Sequence, residues 1–352
     1  MAYQVCVEPS GRTITVFPEE TLLEAALRSG LNVNYSCNNG TCGECKVRLR
    51  AGEVEPVMPT EYRFSTQQLN EGFILMCSNK PAGDLVIEAQ EALCPDDIPL
   101  QEVTAKVAKV EQPSSTVHIL HLRTPRTRTL RFMAGQHVSL KLQGGETYDA
   151  AIASCPCNGM NLQFHLPEED GDPFLSTPLH VGQKMEVKGP YGDVTLDDGS
   201  ARPLLMLAMG TEFAPIKSLI EHAINLDLRQ PIRLIWLASE SEGHYFDNHC
   251  RAWGEVLDDY HYLPCTMAGT EPARDEQAKL KEAIEAQLDG LESIDAYIAG
   301  SRLFRDVTRE HLLTLGVEAK RIFSFQRRYV ERPEKPSVTG PGVVGVSGKD
   351  RD

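Results

Sequence analysis

The sequence predicts a multidomain protein in which an α+β unit and an antiparallel β barrel precede an α/β unit with a parallel sheet. Three observations support this fold class. A cysteine-rich loop lies among short strand-like runs near the N-terminus, six strand-like runs with almost no helical pattern follow, and strand and helix patterns alternate in the last third. At 352 residues the chain is too long for one ordinary core and fits two or three domains.

The first segment, residues 1–92, has the pattern of a small mixed domain. Its opening runs YQVCV and RTITVF alternate like strands around a turn. TLLEAALRSG predicts a helix, with Thr21 and Glu24 spaced as a capping box and Gly30 as the stop signal. The later strands are CKVRLRAG, FILMCS and DLVIEA, and the Pro- and Asp-containing residues 93–102 read as a linker.

The second and third segments differ in periodicity. Residues 103–198 contain six strand-like runs, which are VTAKVAKVE, TVHILHLRT, HVSLKL, AAIAS, NLQFHL and KMEVKGPYG, and this spacing predicts a small antiparallel barrel. Residues 199–330 alternate between apolar strands such as LLMLAMG and amphipathic helices such as FAPIKSLIEHAI, which predicts a parallel sheet covered by helices. The Gly-, Pro- and Ser-rich residues 331–352 predict a disordered tail.

Composition narrows the function classes. The formal net charge of -15 excludes the basic surface that a nucleic-acid-binding protein needs, so a basic or neutral protein partner is the better expectation. The start MAYQVCVEPSGR has no apolar signal region, and the longest apolar run, LLMLAM, is too short to span a bilayer. We therefore expect a cytoplasmic protein without a membrane span, in which the ten cysteines are thiols or metal ligands more often than disulfides.

The cysteine loop carries the most specific chemical signal. SCNNGTCGECKV has the order C-x4-C-x2-C, and a fourth cysteine follows in FILMCSNK. This is the plant-type spacing for a [2Fe-2S] cluster, and Gly40 and Gly43 allow the backbone to approach the sulfides closely. Zinc is the main alternative metal, but zinc sites usually combine two C-x2-C pairs or histidines, which do not flank this loop. The predicted ligands are Cys37, Cys42, Cys45 and Cys77.

Several framework segments carry a family resemblance. RFMAGQHVSL contains an F-x-x-G-Q turn, VGQKMEVKGPYG resembles a segment that closes a flavin-binding barrel, and LGVEAKRIFSF resembles a final helix and strand. With the cysteine loop, the chain resembles the reductase components of bacterial oxygenases, such as the methane monooxygenase and phenol hydroxylase systems, over about residues 1–330. The resemblance implies a β-grasp ferredoxin domain, a barrel of flavin-reductase type and an NAD(P)-binding-like α/β domain. In that family NAD(P)H reduces FAD, and FAD passes single electrons to the cluster.

The flavin positions implied by the resemblance carry unusual residues. The family strand R-x-Y-S appears here as YDAAIAS, which lacks the arginine that pairs with the pyrophosphate and the tyrosine that stacks on the ring. Asp149 adds a negative charge near the expected pyrophosphate. The next motif, G-x-x-S, has Pro173 in place of glycine. The corresponding cofactor-binding positions are Tyr148, Ala150, Ala151, Ser154 and Ser176.

The dinucleotide positions implied by the resemblance are altered as well. The family loop G-T-G-x-A-P appears as GTEFAP, in which Glu212 replaces a glycine and would repel a nicotinamide dinucleotide. The C-G-P turn appears as AGS. The corresponding positions are Gly210, Thr211, Glu212, Ala299 and Gly300.

These changes predict a chain that keeps the reductase fold but has lost FAD and NAD(P)H binding. We expect a [2Fe-2S] electron carrier that serves an oxygenase or another redox enzyme and takes electrons from an external reductase, with the reductase-like domains as a docking platform. One alternative is a working NAD(P)H-dependent, FAD-containing reductase with other flavin contacts, so whether the chain is itself an enzyme stays open. A second alternative is a structural or regulatory subunit of a redox complex.

The motif ASCPCNG follows the altered flavin strand. A C-x-C pair can bind metal or form a redox couple, but no partner cysteines are near Cys155 and Cys157 in the sequence. We interpret them as two inert thiols.

Overall fold

The structure is a computed structural model that describes residues 2–142, 145, 147–168, 178–288 and 293–326. Three sheets of five or six strands follow one another along the chain, and a two-stranded ribbon accompanies the first. Within the described residues, no helix combines the length and the apolar character that crossing a membrane requires. Ser176, Pro173 and the predicted disordered tail at 331–352 lie outside the described residues.

The first sheet is mixed and has the order β2-β1-β7-β3-β5, with β1 parallel to β7 and the other pairs antiparallel. The predicted capping box is confirmed, because the Thr21 hydroxyl accepts a hydrogen bond from the Glu24 amide at 3.2 Å and Glu24 reaches back to the Thr21 amide at 2.8 Å. The elements are β1 (Tyr3–Glu8), β2 (Arg12–Val16), α1 (Leu22–Arg28), β3 (Lys46–Ala51), β4 (Val54–Pro56), α2 (Thr66–Asn70), β5 (Phe73–Leu75), β6 (Asn79–Pro81) and β7 (Leu85–Glu88).

The second sheet is antiparallel and has the order β11-β10-β13-β8-β9-β12. Just beyond β11, the Ala153 amide donates to the Gln163 carbonyl of β12 at 2.8 Å, so the two edges of the curled sheet meet. The first strand begins at Gln101, inside the segment predicted as a linker. The elements are β8 (Gln101–Ser114), β9 (Val117–Arg123), β10 (His137–Leu142), β11 (Thr147–Ala151), β12 (Asn161–Pro167) and β13 (Lys184–Tyr191).

The third sheet is parallel, with the order β16-β15-β14-β17-β18. Strands β14 and β15 are buried along their whole length, as expected where helices cover both faces. The sequence analysis missed β16, an edge strand of mostly half-buried residues that contains Pro264. The elements are β14 (Leu204–Met209), α3 (Phe213–Asn225), β15 (Ile232–Ser239), α4 (Asp247–Ala252), β16 (Tyr260–Met267), α5 (Arg274–Leu288), β17 (Asp295–Ala299), α6 (Arg302–Thr314) and β18 (Ile322–Ser324). The predicted fold class is confirmed.

Helix α3 joins the three sheets. The Ser218 hydroxyl donates to the Ser154 carbonyl at 2.8 Å, which ties the helix to the residues after β11. About two turns further on, Asn225 Nδ2 donates to the Arg28 carbonyl at the end of α1, at 2.7 Å. The residues that follow β11 are therefore fixed between the first and third sheets.

Candidate metal centre and cofactor sites

The cysteine loop, residues 37–45, has two positions at which its backbone favours glycine. Gly40 and Gly43 have φ values of 77° and 78°, in the left-handed region that glycine adopts without strain. A Cβ atom on Gly43 would lie 2.1 Å from the ring of Tyr62, and one on Gly40 would lie 3.0 Å from Thr60. The two glycines thus let the loop close against the segment around residues 60–62.

This loop brings the four predicted ligands together. The Cys42 amide donates to Cys37 Sγ at 3.3 Å, and the Glu44 amide donates to Cys42 Sγ at 3.4 Å. Cys45 and Cys77 share a side-chain hydrogen bond, and the Met76 amide donates to the Cys45 carbonyl at 3.0 Å. Three of the four cysteines are buried and Cys42 is half-buried. Four sulfurs converging from one loop and one turn fit the four-thiolate ligation of a [2Fe-2S] cluster.

Hydrogen bonds around these sulfurs change their acidity. Burial opposes ionisation of Cys37, but hydrogen bonds from Thr41 and from the backbone of Asn39 and Cys42 outweigh it and lower its pKa to about 6. The hydrogen bond with Cys45 lowers the pKa of Cys77, while the same bond raises the pKa of Cys45. The loop therefore provides donors of the kind that stabilise sulfur ligands.

Strand β11 and the residues after it hold most of the implied flavin positions. Tyr148 and Ala150 contribute to the barrel core, the first half-buried and the second buried. Ala151 points to the opposite side, where it packs against Ala153 and Ala214. Ser154 accepts a hydrogen bond from the Gln163 amide at 3.3 Å. Strand β11 therefore lacks the arginine and the tyrosine at the positions where the R-x-Y-S pattern has them.

An aromatic cluster fills the junction between the barrel and the parallel sheet. Phe213 stacks on Trp236 with ring centroids 4.1 Å apart, and it lies 6.2 Å from the parallel ring of His165 in β12. Phe246 also stacks on His165, at 5.2 Å, and lies 6.4 Å from Phe213, so the three rings contact one another in a triangle. Burial, with a smaller effect of the Lys217 charge, lowers the pKa of His165 well below its usual value. The chain's own rings thus pack this junction tightly.

The implied dinucleotide positions lie at the carboxyl ends of parallel strands. Glu212 and Gly300 line one pocket of 850 Å³, as expected for a ligand site in an open parallel sheet. Gly210 has φ 56° and its carbonyl accepts a hydrogen bond from Trp236 Nε1 at 3.1 Å. Thr211 and Ala299 are buried. Each is the neighbour in sequence of a residue that lines the pocket, Glu212 and Gly300 respectively.

The same pocket contains arginines that the sequence analysis missed. Arg305 Nη1 donates to the carbonyls of Gly300 and Phe325 at 3.0 and 2.9 Å, and Arg309 donates to the Ile322 carbonyl at 3.4 Å. The signal was present as R-x-x-R-x-x-x-R in α6, since residues at these spacings share one helix face. Three arginines against two carboxylates in the lining suit an anionic ligand.

The C-x-C motif corrects one prediction. Cys155 and Cys157 are joined in a disulfide, so the interpretation as two thiols is wrong for the described structure. Their turn lies against α3, where His222 Nδ1 is 3.7 Å from Cys155 Sγ and 3.9 Å from Cys157 Sγ. The sequence could not reveal this partner, because His222 is about 65 residues away and carries no motif.

Two family models match the chain. The 2Fe-2S iron-sulfur cluster binding domain matches residues 5–82, which contain all four cysteines of the candidate cluster site. The oxidoreductase NAD-binding domain matches residues 206–310, which include all five implied dinucleotide positions and most of the residues around the arginine-lined pocket. The two matches thus lie in the segments that form the first and the third sheet.

Relatives and solved structures agree with this division. The chain is 27% identical over 329 residues to a CDP-6-deoxy-L-threo-D-glycero-4-hexulose-3-dehydrase reductase from Yersinia pseudotuberculosis, covering 92% of this chain and 98% of the relative. It is 29% identical over 301 residues to the reductase component of phenol 2-monooxygenase from Pseudomonas sp. strain CF600, covering 82% and 84%. Its fold is similar to that of a cytochrome P450 reductase from Amycolatopsis, with a TM-score of 0.57, 23% identity and coverage of 92% and 98%. The chain therefore joins a 2Fe-2S cluster binding domain to an oxidoreductase NAD-binding domain and is a homologue of the reductase components of oxygenases.

Proposed function

We propose that this chain is an electron-transfer component that delivers single electrons to a partner redox enzyme. The observation that carries the proposal is the convergence of four cysteine sulfurs from the loop 37–45 and the turn at Cys77. A [2Fe-2S] cluster held by these thiolates supplies one-electron transfer. The chain's own part is to fix the four ligands, donate amide hydrogen bonds to the sulfurs, and keep most of the site away from water.

The half-buried Cys42 suggests where electrons leave the chain. A groove of 1090 Å³ lies beside it, and its lining includes Glu44, Lys46 and Tyr62. A partner that docks in this groove would approach the most exposed of the four ligands. Electron transfer is favoured by a short distance, so this face is the expected contact with an oxygenase or another redox enzyme.

NAD(P)H is the proposed source of the electrons. The NAD-binding domain match and the arginine-lined pocket of 850 Å³ support it, because an anionic dinucleotide needs positive charge at the ends of the parallel strands. Similarity to reductases over most of their length supports it as well. In this form of the proposal the chain holds FAD through contacts other than those of the R-x-Y-S strand.

A second candidate is a carrier that takes electrons from an external reductase and binds no flavin. Strand β11 favours it, because Ala150 and Ala151 present no ring or hydroxyl and Tyr148 takes the place of an arginine. The junction packed by His165, Phe213 and Phe246 favours it too. Both candidates share the cluster and differ in whether the chain itself oxidises NAD(P)H.

Cofactor content separates these candidates. The protein is purified without air, iron and sulfide are measured per chain, and an acid extract is tested for flavin fluorescence. NADH or NADPH is then added while the visible absorption is followed. Two irons with about one FAD per chain, and bleaching by one nucleotide, are the expected result for the NAD(P)H-dependent reductase.

The other outcomes are equally informative. Two irons without flavin, no bleaching even with added FAD, and reduction by an external flavoprotein would support the second candidate. Absence of iron and sulfide from protein prepared without air would overturn the electron-transfer proposal itself. Cys94→Ser provides a matched control, because Cys94 is an exposed free cysteine outside the cluster loop.

A further inference from the structure

We propose that Cys155, Cys157 and His222 form a metal site that binds Zn²⁺ when the disulfide between the two cysteines is reduced. The site lies outside the cysteine loop and outside the pocket at the ends of the parallel strands. It goes beyond the proposed function, since neither electron source requires it. Thiolate and imidazole are the ligands that Zn²⁺ prefers in proteins.

The three ligand atoms lie at distances close to those of a zinc site. His222 Nδ1 is 3.7 Å from Cys155 Sγ and 3.9 Å from Cys157 Sγ. In a tetrahedral site with ordinary Zn–S and Zn–N bond lengths, a sulfur and a nitrogen ligand are roughly 3.6 Å apart. Reduction lets the two sulfurs separate by rotation about the side-chain bonds, while the nitrogen already faces both of them.

The surrounding contacts hold the histidine in position. Ser218, one turn before His222 on α3, donates to the carbonyl of Ser154, the residue that directly precedes Cys155. Asn225, on the next turn, donates to the Arg28 carbonyl of α1. The helix is therefore anchored on both sides of the imidazole, which is the kind of support that keeps metal ligands in place.

The burial of the ligands also suits a metal site. His222 is only 7% exposed, which shields its imidazole from bulk water. The Cys157 amide donates to Cys155 Sγ at 3.4 Å, a contact that favours a thiolate. Both cysteines are half-buried, which leaves room for water as the fourth ligand.

The reaction has two balanced steps. A dithiol transfers two electrons and two protons to the disulfide, which yields two cysteine thiols and leaves the reagent as a disulfide. Zn²⁺ then binds both sulfurs and His222 Nδ1, and two protons are released to solvent. A water-consuming phosphine reductant gives the same protein dithiol and becomes a phosphine oxide, without adding a competing thiol.

The test uses the full chain with its cluster retained. The protein is dialysed against Zn²⁺ with and without a phosphine reductant, and zinc and iron are measured per chain. We expect one additional zinc per chain only after reduction. The double variant C155S/C157S should lose this zinc, and His222→Gln should bind it at least about tenfold more weakly, because even losses in the outer shell of metal sites cost that much. Cys94→Ser should behave as the unaltered protein.

X-ray absorption at the zinc edge provides a second readout that does not depend on folding of a variant. We expect two sulfur neighbours at about 2.3 Å and one imidazole nitrogen at about 2.0–2.1 Å. Four sulfur neighbours would mean that zinc had replaced the cluster, and this would overturn the proposal. Equal zinc binding by the oxidised protein, or by C155S/C157S, would overturn it as well.

Discussion

The cysteine loop and strand β11 belong to one chain, but they differ in how much of their implied chemistry the residues retain. In the loop, four sulfurs converge and two glycines permit the backbone turns that this requires. In β11 the backbone pairing with β10 is regular from His137 to Lys141, yet the side chains that would contact a flavin are replaced. Backbone pairing tolerates almost any side chain, whereas a cofactor site needs particular ones, so fold and site can change separately.

The largest expected effect is loss of the cluster in the loop. Cys42→Ala removes one of four ligands, and because Cys42 is the least buried of them, the substitution disturbs packing least. We expect iron to fall from about two per chain to nearly none and the melting temperature to fall with it, because metal binding is coupled to folding. Iron analysis and thermal unfolding measure this.

Cys94→Ala is the matched control for that substitution, since Cys94 is exposed and lies in the segment after the first sheet. It should keep the iron content and the melting temperature of the unaltered protein. A Cys42→Ala variant that retained two irons per chain would mean that the convergence of sulfurs in the loop is not a ligand set. The contrast between the loop and β11 would then disappear.

The second effect concerns β11 itself. Restoring the family's tyrosine by Ala150→Tyr inserts a ring where Ala150 is only 2% exposed in the barrel core. We expect a loss of about 1–3 kcal/mol in the free energy of unfolding, the usual cost of overpacking. Urea unfolding measures it, and Thr147→Tyr, at an exposed position of the same strand, is the control.

An Ala150→Tyr variant of unchanged stability that gained flavin would contradict this expectation. It would mean that the strand presents this position to a cofactor and that the flavin site was altered by a few side chains alone. The cysteine loop and strand β11 would then differ in their side chains and not in the space that they leave for a cofactor.

The sequence predicted most of the architecture because its signals are local. The capping box at Thr21 and Glu24, the strand alternation of the barrel and the apolar strands of the parallel sheet each depend on residues close together in the chain. Strand β16 was missed because an edge strand with half-buried residues and Pro264 has a weak pattern. Family similarity supports the predicted [2Fe-2S] cluster, while it supports a working reductase better than a loss of FAD and NAD(P)H binding.

Contacts between distant segments could not be predicted from the sequence. Nothing near Cys155 indicates that His222 lies beside it, because the contact depends on the packing of α3 against the residues that follow β11. Likewise, Glu212 was interpreted as a repulsive charge from its motif alone, whereas Arg305 enters the same pocket from α6. In both sites the local motif therefore contained one of the residues and gave no sign of the partner from α3 or α6.

The third effect tests that pocket. Glu212→Gln keeps the size of the side chain and removes a negative charge from the 850 Å³ pocket that Arg305 also lines. Removal of one charge from a partly solvated site is worth ~1 kcal/mol, so we expect a roughly fivefold lower Kd for NADH, with the gain reduced at high salt. Calorimetric titration measures it.

Glu310→Gln is the control for the pocket, because it removes the same charge from an exposed position of α6. It should change the Kd by much less than Glu212→Gln does. Equal Kd values for the Glu212→Gln variant and the unaltered protein would show that the pocket does not receive the dinucleotide. The dinucleotide-binding form of the proposed function would then lose its structural support.

The fourth effect is a pH dependence at the aromatic junction next to β11. His165 Nδ1 interacts with the Tyr245 hydroxyl at 3.0 Å, and burial, aided by the charge of Lys217, keeps the pKa of His165 well below its usual value. The folded chain therefore resists protonation of this ring, while the unfolded chain takes up the proton as the pH falls through about 6.5. Above that pH the two states bind the same number of protons there, and below it stability declines by about 1.4 kcal/mol per pH unit from this ring.

His165→Phe should remove that decline while keeping a ring packed against Phe213 and Phe246, although it loses the contact with Tyr245 and lowers stability near neutral pH. Urea unfolding at pH 7.5, 6.5 and 5.5 compares the variant with the unaltered protein and with His261→Gln, whose imidazole is exposed. The curves for His165→Phe and the unaltered protein should approach each other as the pH falls. Parallel curves would mean that the ring of His165 takes up a proton in the folded chain. That requires a junction open to water, and a junction open to water has room for a cofactor.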